Sequence, residues 1–292
     1  MAADDIAKVN VIRLLAESLK RLFADEAVPL AGNIAFRTLF SIFPFLIFLT
    51  AIAGFVGTEE QARAAVDFLI SVAPETLVRP LAGEITSILT VPRADLLSVA
   101  ALLTIWSAMA GVDSVRVGLN RAYDLKDTRP GWLTYLIDIL FVVAAAVFFL
   151  AFSFLIVFLP LALKFAAAHG IETAGRFASL EQFRYLLAAG VLLVGVLSAH
   201  LALPARRLPV LKILPGVLLT VLVWGILAIG FSWWLLEFNS FASTYASLSG
   251  LFAAMFFLYL AALVLILGGE VNRVIDLLTT QKVLPEKPDL RD

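Results

Sequence analysis

The sequence predicts an all-α integral membrane protein: a six-transmembrane helical bundle with an amphipathic N-terminal helix and short periplasmic helices. Three observations carry that class. Hydrophobic residues make up 61% of the 292 positions and charged residues 15%, against about 45–50% and about 25% in ordinary soluble domains. The apolar excess is gathered into six blocks, each near the roughly 20 residues needed to cross about 30 Å of hydrocarbon. The basic residues fall mostly between those blocks, and unequally on alternate connections. Net charge is −1, so there is no global basic field to recruit nucleic acid. The absence of cysteine excludes disulfides and thiol chemistry without naming a compartment.

Taken in order, residues 1–31 form a cytoplasmic segment whose residues 6–28 read as an amphipathic helix. Ile12, Leu15, Leu19, Leu22 and Phe23 share one face, and Arg13, Glu17, Lys20 and Arg21 the other. Such a helix either lies in the membrane interface or packs on the ends of the spans. Asp4, Asp5, Glu17, Asp25 and Glu26 precede the first long apolar run, which does not fit a cleavable secretory signal. The membrane domain is expected over 32–270, with spans near 32–56, 94–116, 134–163, 185–203, 213–236 and 244–268. A cytoplasmic tail occupies 271–292. The third span is long enough to tilt, and Gly190, Gly195, Ser198 and His200 dilute the fourth. Between the first two spans, Thr58 with Gln61 makes a capping-box start, and Pro74, Pro80 and Pro92 punctuate the rest of that connection. Two short periplasmic helices are expected there.

Orientation is set by Lys and Arg placement. Lys8, Arg13, Lys20, Arg21, Arg116, Arg121, Lys126, Arg129, Arg206, Arg207, Lys212, Arg273, Lys282, Lys287 and Arg291 fall on one side. Arg63, Arg79, Arg93, Lys164, Arg176 and Arg184 fall on the other. The richer side is expected to be the cytoplasm, with both termini there.

The polar residues within the spans then gather near the cytoplasmic ends: Asn33, Arg37 and Ser41 in the first, Asp113, Arg116, Asn120 and Arg121 at the end of the second, Asp138 in the third, and Glu270 and Asn272 after the sixth. An arginine at the centre of a span costs roughly 2.5–3.5 kcal/mol on insertion scales, so intramembrane charges usually face the protein interior and pair. Arg37 is expected to pair with Glu270 or Asp113. For Arg116, Arg121 and Arg273 the simpler expectation is snorkelling to the headgroups. Pro44, in the middle of span one, removes a backbone donor and is the expected hinge. Trp233, Trp234, Phe238, Phe241 and Tyr245 cluster between spans five and six as an aromatic belt would.

Several runs carry a resemblance to a known family. They are Ala35-Phe36-Arg37-Thr38-Leu39-Phe40-Ser41-Ile42-Phe43-Pro44; Trp106-Ser107-Ala108 with Gly111 and Leu119-Asn120-Arg121-Ala122-Tyr123; Leu214-Pro215-Gly216; and Phe238-Asn239-Ser240 onward through Leu258-Tyr259-Leu260 to Leu267-Gly268-Gly269-Glu270-Val271-Asn272. In this order they resemble the YihY/BrkB family of bacterial inner-membrane proteins. Ala246 and Ser249 depart from it, standing where the family usually or often has glycine. The resemblance implies six spans with cytoplasmic termini, but no settled activity. Members have been labelled a tRNA-processing ribonuclease (formerly ribonuclease BN-like) or a serum-resistance or virulence factor, and some have been connected with export of lipid A precursors.

The residues themselves speak against a nuclease. His169 and His200 lack acidic neighbours at ligand spacing, and neither a Gly-rich phosphate loop nor a basic-aromatic RNA surface is present. No catalytic residue, metal or cofactor is expected, and no nucleic-acid partner. The expected function is a transporter or flippase of an amphipathic, anionic, lipid-like or lipid-linked substrate, with membrane lipids as partners. The alternative is a structural scaffold of envelope assembly. A channel ranks third, for want of a charge ring or carbonyl filter.

Overall fold

The structure is a computed structural model that describes residues 11–56, 58–60, 94–155, 178–206, 208–238 and 246–281, with scattered positions between 63 and 91. Seven helices are described: α1 (Val11–Ala24), α2 (Ala27–Val56), α3 (Ala94–Ala122), α4 (Gly131–Ser153), α5 (Ala178–Ala202), α6 (Val210–Phe238) and α7 (Ala246–Gln281). No strand occurs among the described residues. Six of the helices, α2 to α7, are long and apolar enough to cross a membrane. The two short helices expected between the first two spans and the outer end of the third span lie largely outside the described residues, as do Phe241, Tyr245 and the side chain of Phe238. Trp233 is exposed, whereas the Trp234 ring is half-buried and sits 6.3 Å from that of Phe256.

The break between α1 and α2 falls earlier than the sequence suggested. Glu26 takes a left-handed backbone, φ 58°, which a helix interior cannot hold. Pro29 then lies in the first turn of α2, where its missing N–H is no loss. The helix continues through Pro44, which is buried. At the other end of α3, Asp124 has φ 56°. Leu125 N donates to Asn120 O at 2.8 Å and Asp124 N to Arg121 O at 2.9 Å. That pattern closes the helix as a Schellman motif, with aspartate in the place glycine usually takes.

The chain divides into two compact units, Met1–Phe36 with Val112–Asp292, and Arg37–Gly111. In the first unit α7 packs on α6 and α1, and α5 on α4 and α6. One apolar cluster joins Leu119 and Tyr123 of the α3 end to Val196, Ala199, Leu203, Ile213, Val217 and Leu265. A second joins Leu22, Ala27, Ala31 and Ile34 to Ala122, Ala262 and Ile266. Thus α1 buries a stripe through Ser18 and Leu22 while Ile12, Leu15, Leu19 and Phe23 stay exposed. One face of this helix packs on α7 and another apolar face is left outside. In the second unit, Arg37 Nη1 donates to Ala110 O at 3.1 Å and Ser41 Oγ to Thr38 O at 2.7 Å. Gly111 lies there against Thr38.

The tightest packing is between α6 and α7. A Cβ on Gly216 would overlap Gly268 O, and one on Gly268 would overlap Thr220 Oγ1. Only glycine permits this approach, which is the small-residue rule for helices packed in lipid.

Candidate functional site

The polar site in the first unit is built around Pro215, inside the N-terminal part of α6. Proline cannot donate within a helix, and the next amide, Gly216 N–H, turns to Asn272 Oδ1 of α7 at 2.7 Å. Asn272 Nδ2 donates to Tyr123 Oη at 3.0 Å, and Tyr123 Oη lies 2.7 Å from His200 Nδ1 of α5. Tyr123, His200, Asn272 and Thr220 are all buried. Burial pushes the Tyr123 phenol above its ordinary range, against the pull of the Asn272 amide. Four helices are therefore tied at one level by a chain of neutral groups.

Beside it lies a charged knot centred on Arg116. Its guanidinium bonds to Asp113 one turn earlier and to Asp127 in the α3–α4 connection, and Arg116 Nε lies 3.6 Å from Asp138 Oδ1 of α4. The Arg116 side chain is 12% exposed and that of Asp138 is 4% exposed. Asp127 is gripped from its other side by Arg129, whose Nε and Nη2 donate at 2.9 and 2.8 Å. These bonds, led by that of Arg129, hold the Asp127 carboxyl well below the usual carboxylate range. Arg129 also donates to Leu203 O, and Asn120 Oδ1 accepts from Ala205 N, both at 2.7 Å. Both connections are thus stitched to the knot.

A third group surrounds Glu270, whose side chain is fully buried. Its Oε2 accepts from Arg21 Nε of α1 at 3.1 Å. Arg21 also reaches Asp25 at 3.4 Å, and Arg121 approaches Asp25 at 4.0 Å. A fourth joins Lys212 to Asp276 at 2.6 Å and Arg273 to Asp276 and Asp124.

Set against the sequence reading, Asp113, Arg116, Asn120 and Asp138 come together in one knot. Asn272 joins the neutral chain, and Arg121 lies beside the Glu270 group with its side chain 53% exposed. Asn33 points its amide at Ser114 Oγ, 3.5 Å away. One expectation is corrected: Arg116 does not snorkel, because three carboxylates within reach hold it inside. Glu270 pairs with Arg21, because α1 packs along α7 and brings a cation to a carboxylate that would otherwise be buried alone. Arg21, Tyr123, Asp127, Arg129 and His200 were missed as participants. The proximity of Asp127 and Arg129 in a short connection was a usable signal, whereas nothing in the spacing links Arg21 to Glu270.

The same helices enclose an apolar cleft of about 270 Å³. Phe141, Ala145, Phe148 and Phe149 of α4 line one side, Val191, Leu192, Gly195 and Ala199 of α5 another, and Val115, Trp224 and Leu265 the rest. Its one hydroxyl, Ser198 Oγ, donates to Gly195 O. Among the described residues no group of three or more His, Asp or Glu side chains could hold a metal ion.

A helical chain with six helices long and apolar enough to cross a membrane is a multi-pass membrane protein. Comparison of sequences makes this specific: the chain belongs to the family described as virulence factor BrkB, which matches residues 18–290. It is similar to the ribonuclease-like protein YfkH of Bacillus subtilis (strain 168), 26% identical over 284 residues, 94% of this chain and 98% of that one. It is also similar to a UPF0761 membrane protein of Pseudoalteromonas translucida (strain TAC 125), 24% identical over 88% of this chain and 84% of the other. A UPF0761 membrane protein of Acinetobacter baylyi is 19% identical over 93% of this chain and 64% of its own. No solved structure matches.

Proposed function

We propose that the protein is a transporter or flippase of an amphipathic, lipid-like substrate in the inner membrane of a bacterium, with both termini and the charged network on the cytoplasmic side. The observation that supports this most is Arg116, shared among Asp113, Asp127 and Asp138 close to the ends of α3 and α4. Ionised groups at such positions are costly and by default functional. One cation among three acceptors has alternative partners within reach, which a moving transporter can exchange. The preference for an anionic substrate rests on Arg37.

The rival reading is a scaffold of envelope assembly, in which these pairs are only architectural. It draws support from the completeness of the stitching by Arg129 and Asn120. An RNA-cleaving role has less behind it: His200 Nδ1 is engaged by Tyr123, and the carboxylates here are engaged by arginines or buried. The test is reconstitution of the full chain in vesicles containing fluorescently tagged phosphatidylglycerol, with dithionite reporting the lipid's sidedness. Transport predicts movement faster than in protein-free vesicles and slowed by Arg37→Ala. Identical rates with and without protein refute it.

A further inference from the structure

The charged network accounts for a polar part of a substrate and leaves the apolar cleft above it unused. Along α4, Asp138, Phe141, Ala145 and Phe148 fall at helical spacing on one stripe. The last three line the cleft, so Asp138 stands at its foot. On α3, Val115 lines the cleft and Arg116 is the next residue. The foot is thus the ion pair of Arg116 with Asp138, and Asp138 Oδ1 accepts no hydrogen bond although its side chain is only 4% exposed. The other end is continuous with the exposed apolar surface of the helices. Phe149, a lining residue, is 67% exposed, and Val147, Leu150 and Val194 beside it are exposed as well. A surface of that composition on a membrane-spanning helix meets hydrocarbon.

From this layout we infer that the cleft between α4 and α5 binds one acyl chain of a bilayer phospholipid, with its head group directed to Arg116 and Asp138. The inference rests on the transport reading and names the chain-binding part of that site. Its apolar lining matches a hydrocarbon chain, and its volume lies near the lower end of small-ligand pockets, about 300 Å³. The charges lie only at the foot, so the amphiphile has one orientation. Gly195 sets the room available: a Cβ there meets nothing within 4 Å, so the open space beside α5 belongs to the cleft.

Gly195→Leu places a side chain in that space without a backbone clash. Gly230→Leu is the control, since Gly230 of α6 is also open and exposed but does not line the cleft. Ala145→Leu narrows the cleft from α4 and guards against a folding defect specific to position 195. The full chain is reconstituted in phosphatidylglycerol–phosphatidylethanolamine vesicles containing a trace of phosphatidylethanolamine with a diazirine in its acyl chain. After illumination, labelled peptides are mapped by mass spectrometry.

Wild type and Gly230→Leu should be labelled at the segments carrying Phe148, Phe149, Val191 and Leu192. Gly195→Leu and Ala145→Leu should lose that labelling by roughly tenfold, the effect of excluding about two methylenes of chain contact. Labelling spread evenly over the lipid-facing helices, or unchanged in folded Gly195→Leu and Ala145→Leu, overturns the assignment. Lipid movement measured on the same vesicles keeps the two ideas apart. Cleft labelling without movement upholds the chain site and defeats transport, whereas movement without cleft labelling defeats the chain site alone.

Discussion

Replacing Arg21 by alanine should destabilise the protein by about 3 kcal/mol. Glu270 is fully buried, its Oε2 bonds to Arg21 Nε at 3.1 Å, and its Oε1 accepts no hydrogen bond. Deleting one partner of a buried ion pair costs about 3–5 kcal/mol, because the remaining charge is left without compensation. Arg21 is about a quarter exposed, so water can enter after its removal, which places the loss toward the lower end. The assay is reversible unfolding by sodium dodecyl sulfate titrated into mild-detergent micelles, monitored by tryptophan fluorescence. Glu270→Gln removes the charge itself, so in the double variant the arginine deletion should cost markedly less. The cycle should show a coupling of at least about 1 kcal/mol. A loss below about 1 kcal/mol for Arg21→Ala, or additive single effects, would refute the claim that α1 is docked by this pair.

Three further outcomes rest on the same geometry. Gly216→Ala should cost about 1–3 kcal/mol by overpacking the α6–α7 crossing, whereas Gly225→Ala, where a Cβ meets open space, should be neutral or stabilising by up to about 1 kcal/mol; the same unfolding titration compares them. Asn272→Leu leaves the buried Gly216 N–H without its acceptor and should cost about 1–3 kcal/mol, read also as faster amide exchange at the start of α6. Asp127 has a depressed folded pKa, so its stabilisation is complete above the unfolded value, about 3.9, and is lost as pH falls below it. Thermal stability of wild type should therefore drop more steeply in acid than that of Asp127→Asn.

The spans were legible because their signal is collective. A long, mostly apolar stretch needs no knowledge of its neighbours, and α2 to α7 each carry one. Boundaries were less legible: the first span was expected from residue 32, but Glu26 breaks the chain and α2 starts at Ala27. The polar site was partly legible for a related reason. Asp113 with Arg116 and Asp138 could be grouped by depth once the topology was set. The partner of Glu270 could not, since it depends on how α1 folds onto α7 across nearly the whole chain. The glycines at 216 and 268 stood in the motifs, but their reason is a helix crossing visible only in three dimensions.

The Arg116 knot is proposed to serve movement of an amphiphile across the membrane, and this role decides the reading. It is tested most directly by the initial rate at which tagged phosphatidylglycerol changes leaflet in vesicles holding wild type, Arg116→Gln or Arg206→Gln, the last an exposed residue with no bond to the knot among the described contacts. Rates well above protein-free vesicles are expected for wild type and Arg206→Gln, and a rate near the protein-free one for folded Arg116→Gln. Equal rates for wild type and folded Arg116→Gln, or no acceleration by wild type, would contradict it.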